Sequence, residues 1–320
     1  MNVRTFVLAT IIAGLGAGIS KAQTSKNSSQ QCSLAVVSRL VNSKTQICEA
    51  SVVQDMAKKG HAFEQNQMGV ASVLAIGPDS STREAIVWFE KAARSGYAPA
   101  EVNLAVMYIN GWGTPSNYGA ALHWLHEAAG HGYARAYYNL GIFYLQGQGV
   151  SKDYAEALRL LRKGAEAGDP GSQTNLGYMY DQGLGVVQNL QTAALWYRKA
   201  AENSDPMGQN NLADLYLRGQ GVPQNDTEAF RLFQQAASQG HTGARIKLGY
   251  MYSVGRGTAK DIETAYAWIS AATTAGDSRG RDLLRSIELK LSADQLARAK
   301  THARNLNAES EIEISKALLP

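Results

Sequence analysis

One column of alanines constrains this chain more than any other feature. Ala85, Ala121, Ala157, Ala193, Ala229 and Ala265 stand 36 residues apart without a slip. Gly96, Gly132, Gly168, Gly240 and Gly276 keep the same step, with Ser204 filling the one gap. Gly111, Gly147, Gly183, Gly219 and Gly255 repeat it, each followed two residues later by another glycine, and so do Tyr108, Tyr144, Tyr180, Tyr216 and Tyr252. Self-similarity at this period marks a repeat array, in which one unit cannot bury its apolar face alone and neighbours must stack to share a core. Six units run from His61 to Gly276.

The third unit shows what each column is for. The spacing predicts a first helix from about Ala134 to Leu145, with Leu140 and Tyr144 four apart on one face. Gly147 supplies a left-handed cap and Gly149 permits a tight turn. Asp153 then caps a second helix, with Glu156 placed to complete a capping box. Ala157, Leu160, Leu161 and Gly164 give that helix a small-and-apolar stripe, and Gly168 ends it. Ser81, Asn117, Asp153, Asn189, Asn225 and Asp261 share the cap column. All have a side-chain oxygen, so this column reads as structural.

The ends of the array differ from its middle. The first unit carries Ala75 and Gly77 where later units have the glycine pair. Gly60 falls one period before Gly96, so residues 23–60 read as an N-terminal helical cap. Arg281 to Leu289 and Ala293 to Leu306 predict two amphipathic helices covering the other end, within a capping segment 277–308. The tail 309–320 is expected to fray.

Residues 1–22 have the layout of a secretory signal: Arg4, an uncharged apolar stretch from Thr5 to Ile19, then Ser20-Lys21-Ala22 before a cut. The competing reading is a membrane anchor, for which that stretch is short of the roughly 20 residues needed. Export places the mature chain in a periplasm or outside the cell. Removing Arg4 and Lys21 lowers the formal charge from +4 to +2, which asks for neither nucleic acid nor an anionic membrane. In an oxidising space Cys32 and Cys48, the two cysteines, would pair. That bridge closes a loop of roughly 17 residues, worth on the order of 3 kcal/mol in the chain-entropy model. The alternative is two unpaired small hydrophobes. Two cysteines alone cannot make a four-ligand zinc site, and neither metal nor cofactor is expected.

Asn175-Leu176-Gly177, Tyr180, Gly183-x-Gly185-Val186, Ala193, Trp196 and Lys199-Ala200-Ala201 together resemble the SEL-like (Sel-one-like) repeat family, relatives of the tetratricopeptide repeats. The resemblance covers roughly residues 46 to 276. It implies an all-α fold, a right-handed superhelical solenoid of helix–turn–helix repeats, used mainly to hold other proteins. It also implies that the first helix of each pair lines a concave face.

One column of that face is chemically odd. Asn103, Asn139, Asn175 and Asn211 sit mid-helix, where asparagine is a poor helix former, and Lys247 follows in the same column. Helices pack about 8–10 Å apart, so four rungs would span roughly 30 Å, which suits an extended peptide of about nine residues. Asparagine offers donor and acceptor to any peptide backbone. The equal alternative is that each asparagine bonds within the stack and stabilises it. Neighbouring columns vary from unit to unit and supply the candidate anchors Tyr138, Tyr178 and Tyr250, with Asp214 among them.

No serine has lysine three residues later, and no phosphate-binding Gly-x-x-x-x-Gly-Lys loop occurs. His123, His126, Glu127 and His131 are the best metal candidates, yet the His123 column holds Val87, Arg159, Leu195, Arg231 and Ala267 elsewhere. The chain is therefore expected to be a monomeric, non-enzymatic binder of a protein or peptide. A cell-wall or β-lactam hydrolase and a glycan-binding module are the alternatives. For the cysteines the expected outcome is that Cys32 and Cys48 of the exported chain resist alkylation until a reductant is added, read by mass spectrometry.

Overall fold

The computed structural model describes residues 47–74 and 82–317, with side-chain detail between 52 and 308. Residues 1–46, which include the expected signal segment and Cys32, lie outside the described residues, as do Ser81 and residues 75–77. All described regular structure is helical: α1 Ile47–Lys58, α2 Ala62–Leu74, α3 Thr82–Arg94, α4 Ala98–Asn110, α5 Tyr118–Gly130, α6 Ala134–Gln146 and α7 Tyr154–Glu166. Then come α8 Pro170–Gln182, α9 Leu190–Glu202, α10 Pro206–Arg218, α11 Asp226–Ser238, α12 Thr242–Val254, α13 Ile262–Thr274, a 3-10 turn Ser278–Gly280, α14 Arg281–Glu288 and α15 Ala293–Ala317. They form two compact units, one ending at Asp169 and one from Pro170 to Lys316. In the N-terminal unit the pairs α2–α3, α4–α5 and α6–α7 pack face to face; in the C-terminal unit α8–α9, α10–α11 and α12–α13 do the same. The chain is thus an all-α solenoid array of helix pairs.

The alanine column is the reason the pairs close. All six of its members are 0% exposed. Opposite each pair of layers a small residue on the first helix admits a large one on the second. A Cβ on Gly141 would lie 2.6 Å from Leu161, one on Gly177 2.7 Å from Tyr197 and one on Gly249 2.5 Å from Ile269. Leu161, Tyr197 and Phe233 are accordingly among the largest fully buried side chains. Burying such a side chain contributes roughly 1.5–3 kcal/mol, and the close approach is what permits it.

Caps and turns follow the columns. Gly147 (φ 71°) and Gly149 (φ 68°) adopt left-handed backbone, and Ser204 does so too (φ 60°) where the other units have glycine. Asn117, Asn189, Asn225 and Asp261 each accept one backbone N–H from the residue three ahead. Asp153 accepts from Ala155 and Glu156, but the reciprocal half of the expected capping box is absent. Glu156 instead takes the Arg159 guanidinium at 2.7 Å, and the Asp153 N–H donates to the Tyr144 carbonyl at 2.9 Å. The complete box is at Ser292, whose N–H donates to Gln295 Oε1 while Gln295 N–H donates to Ser292 Oγ.

At the C-terminal end α14 and α15 pack with Ile287 and Ala299 on Tyr266 and Ile269 and with Ala303 and Leu306 on the Trp268 core. The α15 helix runs on to Ala317 rather than stopping near Leu306. Its continuation is rich in Ala and Glu, strong helix formers that need no further burial.

Backbone contact makes some glycines irreplaceable and others only conformational. A Cβ on Gly221 (φ 70°) would lie 2.3 Å from the Leu190 carbonyl oxygen, whereas Gly132 (φ 76°) has nothing within 4 Å. Gly221→Ala is expected to lose roughly 2 kcal/mol or more and Gly132→Ala about 1 kcal/mol, measured by chemical denaturation.

Candidate binding face on the first helices

The asparagine column divides between the units, with Asn103 and Asn139 in the N-terminal one and Asn175, Asn211 and Lys247 in the C-terminal one. Asn103 is 2% exposed and its Nδ2 donates to Asn66 Oδ1 at 2.9 Å, on the first helix of the preceding repeat. Asn139 is buried, and its Nδ2 donates to the Arg135 carbonyl at 3.1 Å. Asn175 makes the same bond to Gly171 at 2.9 Å but is only half-buried. Asn211 accepts from Asn210 Nδ2 at 3.0 Å. Each amide thus has a bond inside its own unit, and in Asn139 and Asn175 that bond is back-bonding to the carbonyl four residues earlier.

Lys247 replaces asparagine with a charge and binds differently. Its Nζ donates to Asn210 Oδ1 at 3.1 Å, forms an ion pair with Asp214, and lies 5.3 Å from the Phe233 ring centroid. Three contacts from α10 and α11 therefore hold one ammonium at the surface. Asp214 is half-buried by the same arrangement.

The tyrosines split as well. Tyr138 is half-buried with the Arg135 guanidinium 5.1 Å over its ring, and Arg135 in turn pairs with Asp169 at 3.0 Å. Tyr178 and Tyr250 are 42% and 44% exposed. They share a 36-residue column with Asp214, so in the C-terminal unit α8, α10 and α12 present tyrosine, aspartate and tyrosine in succession. Exposed Met207 lies on the same face of α10 as Asn211 and Asp214, and Val254 on the same face of α12 as Lys247 and Tyr250. The equivalents of this column in the N-terminal unit are Val70 and Val106, both buried, and Ile142, half-buried.

The column two places before each asparagine ties first helices to the pair behind them, which the periodicity did not single out. Gln65 Nε2, Tyr137 Oη and Arg245 Nε donate to the Ala57, Ala129 and Ala237 carbonyls at 3.1, 2.8 and 3.1 Å. Each acceptor is eight residues earlier, in the last turn of a second helix. The signal was present as a long polar side chain at fixed register. It escaped because glutamine, tyrosine and arginine are chemically unlike one another.

The histidines do not converge. His123 stacks beside Trp124 with centroids 5.1 Å apart, and His131 Nδ1 lies 3.1 Å from Glu101 Oε2, on a carboxylate only 2% exposed. Burial raises the Glu101 pKa and the His131 contact opposes it. Among the described residues no group of three or more potential metal ligands forms, and no helix is long and apolar enough to cross a membrane.

The two environments separate structural from exposed amides. Asn103→Ala is expected to cost about 1–3 kcal/mol, since it strands buried Asn66 as well. Asn175→Ala should cost less than about 0.5 kcal/mol. Denaturation of both variants against the parent checks this.

Comparison with known proteins agrees with this geometry. The Sel1 repeat model matches six times, at residues 65–97, 98–133, 134–169, 170–205, 206–241 and 243–277. Among solved structures, a Sel1 repeat protein from Oxalobacter formigenes is 29% identical with a TM-score of 0.64, covering 75% of this chain and 96% of its own. A protective antigen of uropathogenic Escherichia coli with an SLR fold is 25% identical with a TM-score of 0.49, covering 89% and 70%. An immunity protein from Pseudomonas aeruginosa is 19% identical with a TM-score of 0.45, covering 80% and 86%. No curated protein matches the chain. Six consecutive matches, on helix pairs whose caps, turns and buried alanines recur at the same register, place this chain in the Sel1 repeat family.

Proposed function

We propose that this protein is an extracytoplasmic scaffold that takes a protein or extended peptide on the concave face lined by its first helices. Sel1 repeat proteins are generally protein-interaction scaffolds, and the fold is typically non-enzymatic. The observation that carries the reading is the run Tyr178, Asp214, Tyr250 on three successive first helices, with both rings more than two-fifths exposed. Tyrosine brings a large rigid contact area at low entropic cost, and such residues dominate binding energies when a partner covers them. Lys247 and Asn175 beside them add a cation and an amide for polar contacts.

The N-terminal asparagines carry less of this reading than the C-terminal tyrosines. Asn103 and Asn139 are buried and already bonded within their unit, so a partner would have to break those bonds to use them. Export to the periplasm or beyond rests on the leader, Arg4 with the apolar Thr5–Ile19 stretch. Fractionation of cells expressing the chain with and without residues 1–22 tests that part.

For the face itself, the test is affinity capture from envelope extract followed by titration with the captured partner. Tyr178→Ala combined with Tyr250→Ala is expected to weaken binding at least tenfold while leaving the melting temperature within a few degrees of the parent. A control pair on second helices, Val87→Ala and Leu195→Ala, should bind as the parent does. Equal binding by all three proteins would exclude this face.

A further inference from the structure

The residue before each first helix forms a column of its own, His61, Tyr97, Tyr133, Asp169, Asp205 and His241, continued by Asp277 before the 3-10 turn. Asp205 shows what a carboxylate does there. Its Oδ2 accepts the Gly208 N–H at 2.7 Å and the Thr174 hydroxyl at 2.6 Å, capping α10. At the next joint the cap of α12 is an imidazole: His241 Nδ1 accepts the Ala244 N–H at 3.0 Å. An imidazole can accept only while that nitrogen is unprotonated. A carboxylate continues to accept through the range where histidine titrates.

The surroundings of His241 are set against its protonation. It stands at the positive end of the α12 dipole. Lys247 faces it from α12 itself and Arg279 from the 3-10 turn, with Asp214 on α10 and Asp277 beside the 3-10 turn opposing them. Both carboxylates are occupied, Asp214 by Lys247 and Asp277 by Arg279 at 2.6 Å. The ring also lies close to the Arg279 guanidinium, since a Cβ on Gly243 would meet His241 Cε1 at 3.2 Å and Arg279 Nη2 at 3.3 Å. An imidazolium here would face two cations, with the nearby carboxylates already paired to them.

We infer that His241 is an acid-sensitive latch on α12, releasing the first turn of that helix in mild acid and so loosening the face that carries Lys247 and Tyr250. The first turn holds Arg245, which joins α12 to the Ala237 carbonyl and to Asn307 Oδ1 of α15 at 2.8 Å. Opening the turn therefore loosens the attachment to α11 and to the C-terminal helix together. Burial, and then Lys247 and Arg279, push the His241 pKa down from 6.5 to about 4. Folding keeps the ring neutral where the unfolded segment would take a proton. The latch is thus fully closed above the unfolded value of 6.5 and loses its stabilisation as pH falls toward about 4.

The consequence for binding rests on the function proposed above, whereas the latch itself does not. Hydrogen exchange of the full chain without any partner, corrected for intrinsic rates, tests the latch. Between pH 7 and pH 5 the amides of Ala244 to Leu248 should gain on the order of tenfold in opening, relative to Gly208 to Leu212 in α10. His241→Asp and, as an uncharged cap, His241→Asn should each remove the excess. An α12 that tracks α10, or an excess that survives both variants, would overturn the latch. Affinity for a captured partner should fall over the same range in the parent and not in His241→Asp. A latch that opens while that affinity stays constant would overturn the control of binding alone. Failure to find any partner bears on the proposed function and leaves the exchange result intact.

Discussion

Everything in this molecule depends on how closely the two helices of a pair approach. Ala85 and its five equivalents have no exposed surface, and the facing glycines would each clash with a neighbour if given a Cβ. Small side chains on one helix let large ones on the other be enclosed without voids, the condition for native packing density. Because each pair alone leaves apolar surface open, the interaction works only when pairs stack. The 36-residue period is therefore the spacing of a packing solution, not merely a mark of duplication.

Polar groups adapt to that frame. The glycine and cap columns resolve the unpaired ends of helices, and the long side chains of Gln65, Tyr137 and Arg245 reach the carbonyls that end the preceding helices. Three chemistries perform one task because the task is set by geometry: a donor must span a fixed gap. The same tolerance lets His241 stand in a column where the four preceding units use tyrosine or aspartate and the first has His61. Equivalent geometry does not mean equivalent response, since only the imidazole changes its accepting power near neutral pH.

The open face shows the reverse relation. Between units the framework columns repeat while Val70, Val106, Ile142, Tyr178, Asp214 and Tyr250 succeed one another in a single column. Its first two members are buried, and Tyr178 and Tyr250 are well exposed. The scaffold can carry such different side chains because this column contributes little to the shared core of the C-terminal unit. A Lys–Asp pair beside two exposed rings gives that unit a surface with both polar and apolar character.

By itself the sequence determined the repeat length, the number of units, the helix pairs, and nearly all caps and left-handed turns. Those are local properties, written in residue types that have one preferred backbone geometry and in apolar periodicity. It also marked Asn103, Asn139, Asn175 and Asn211 as unusual, because mid-helix asparagine conflicts with helix propensity whatever surrounds it. Only the tertiary structure decided what each asparagine does. Asn103 meets Asn66 across a helix boundary, while Asn139 and Asn175 turn back on their own helices. Identical residues at identical register end in different environments because burial depends on neighbours brought in from other units. The same reason applies to His241, whose proton is governed first by burial and then by Lys247 and Arg279. Spacing along a chain predicts which groups share a face; which charges surround them is settled only when the faces meet.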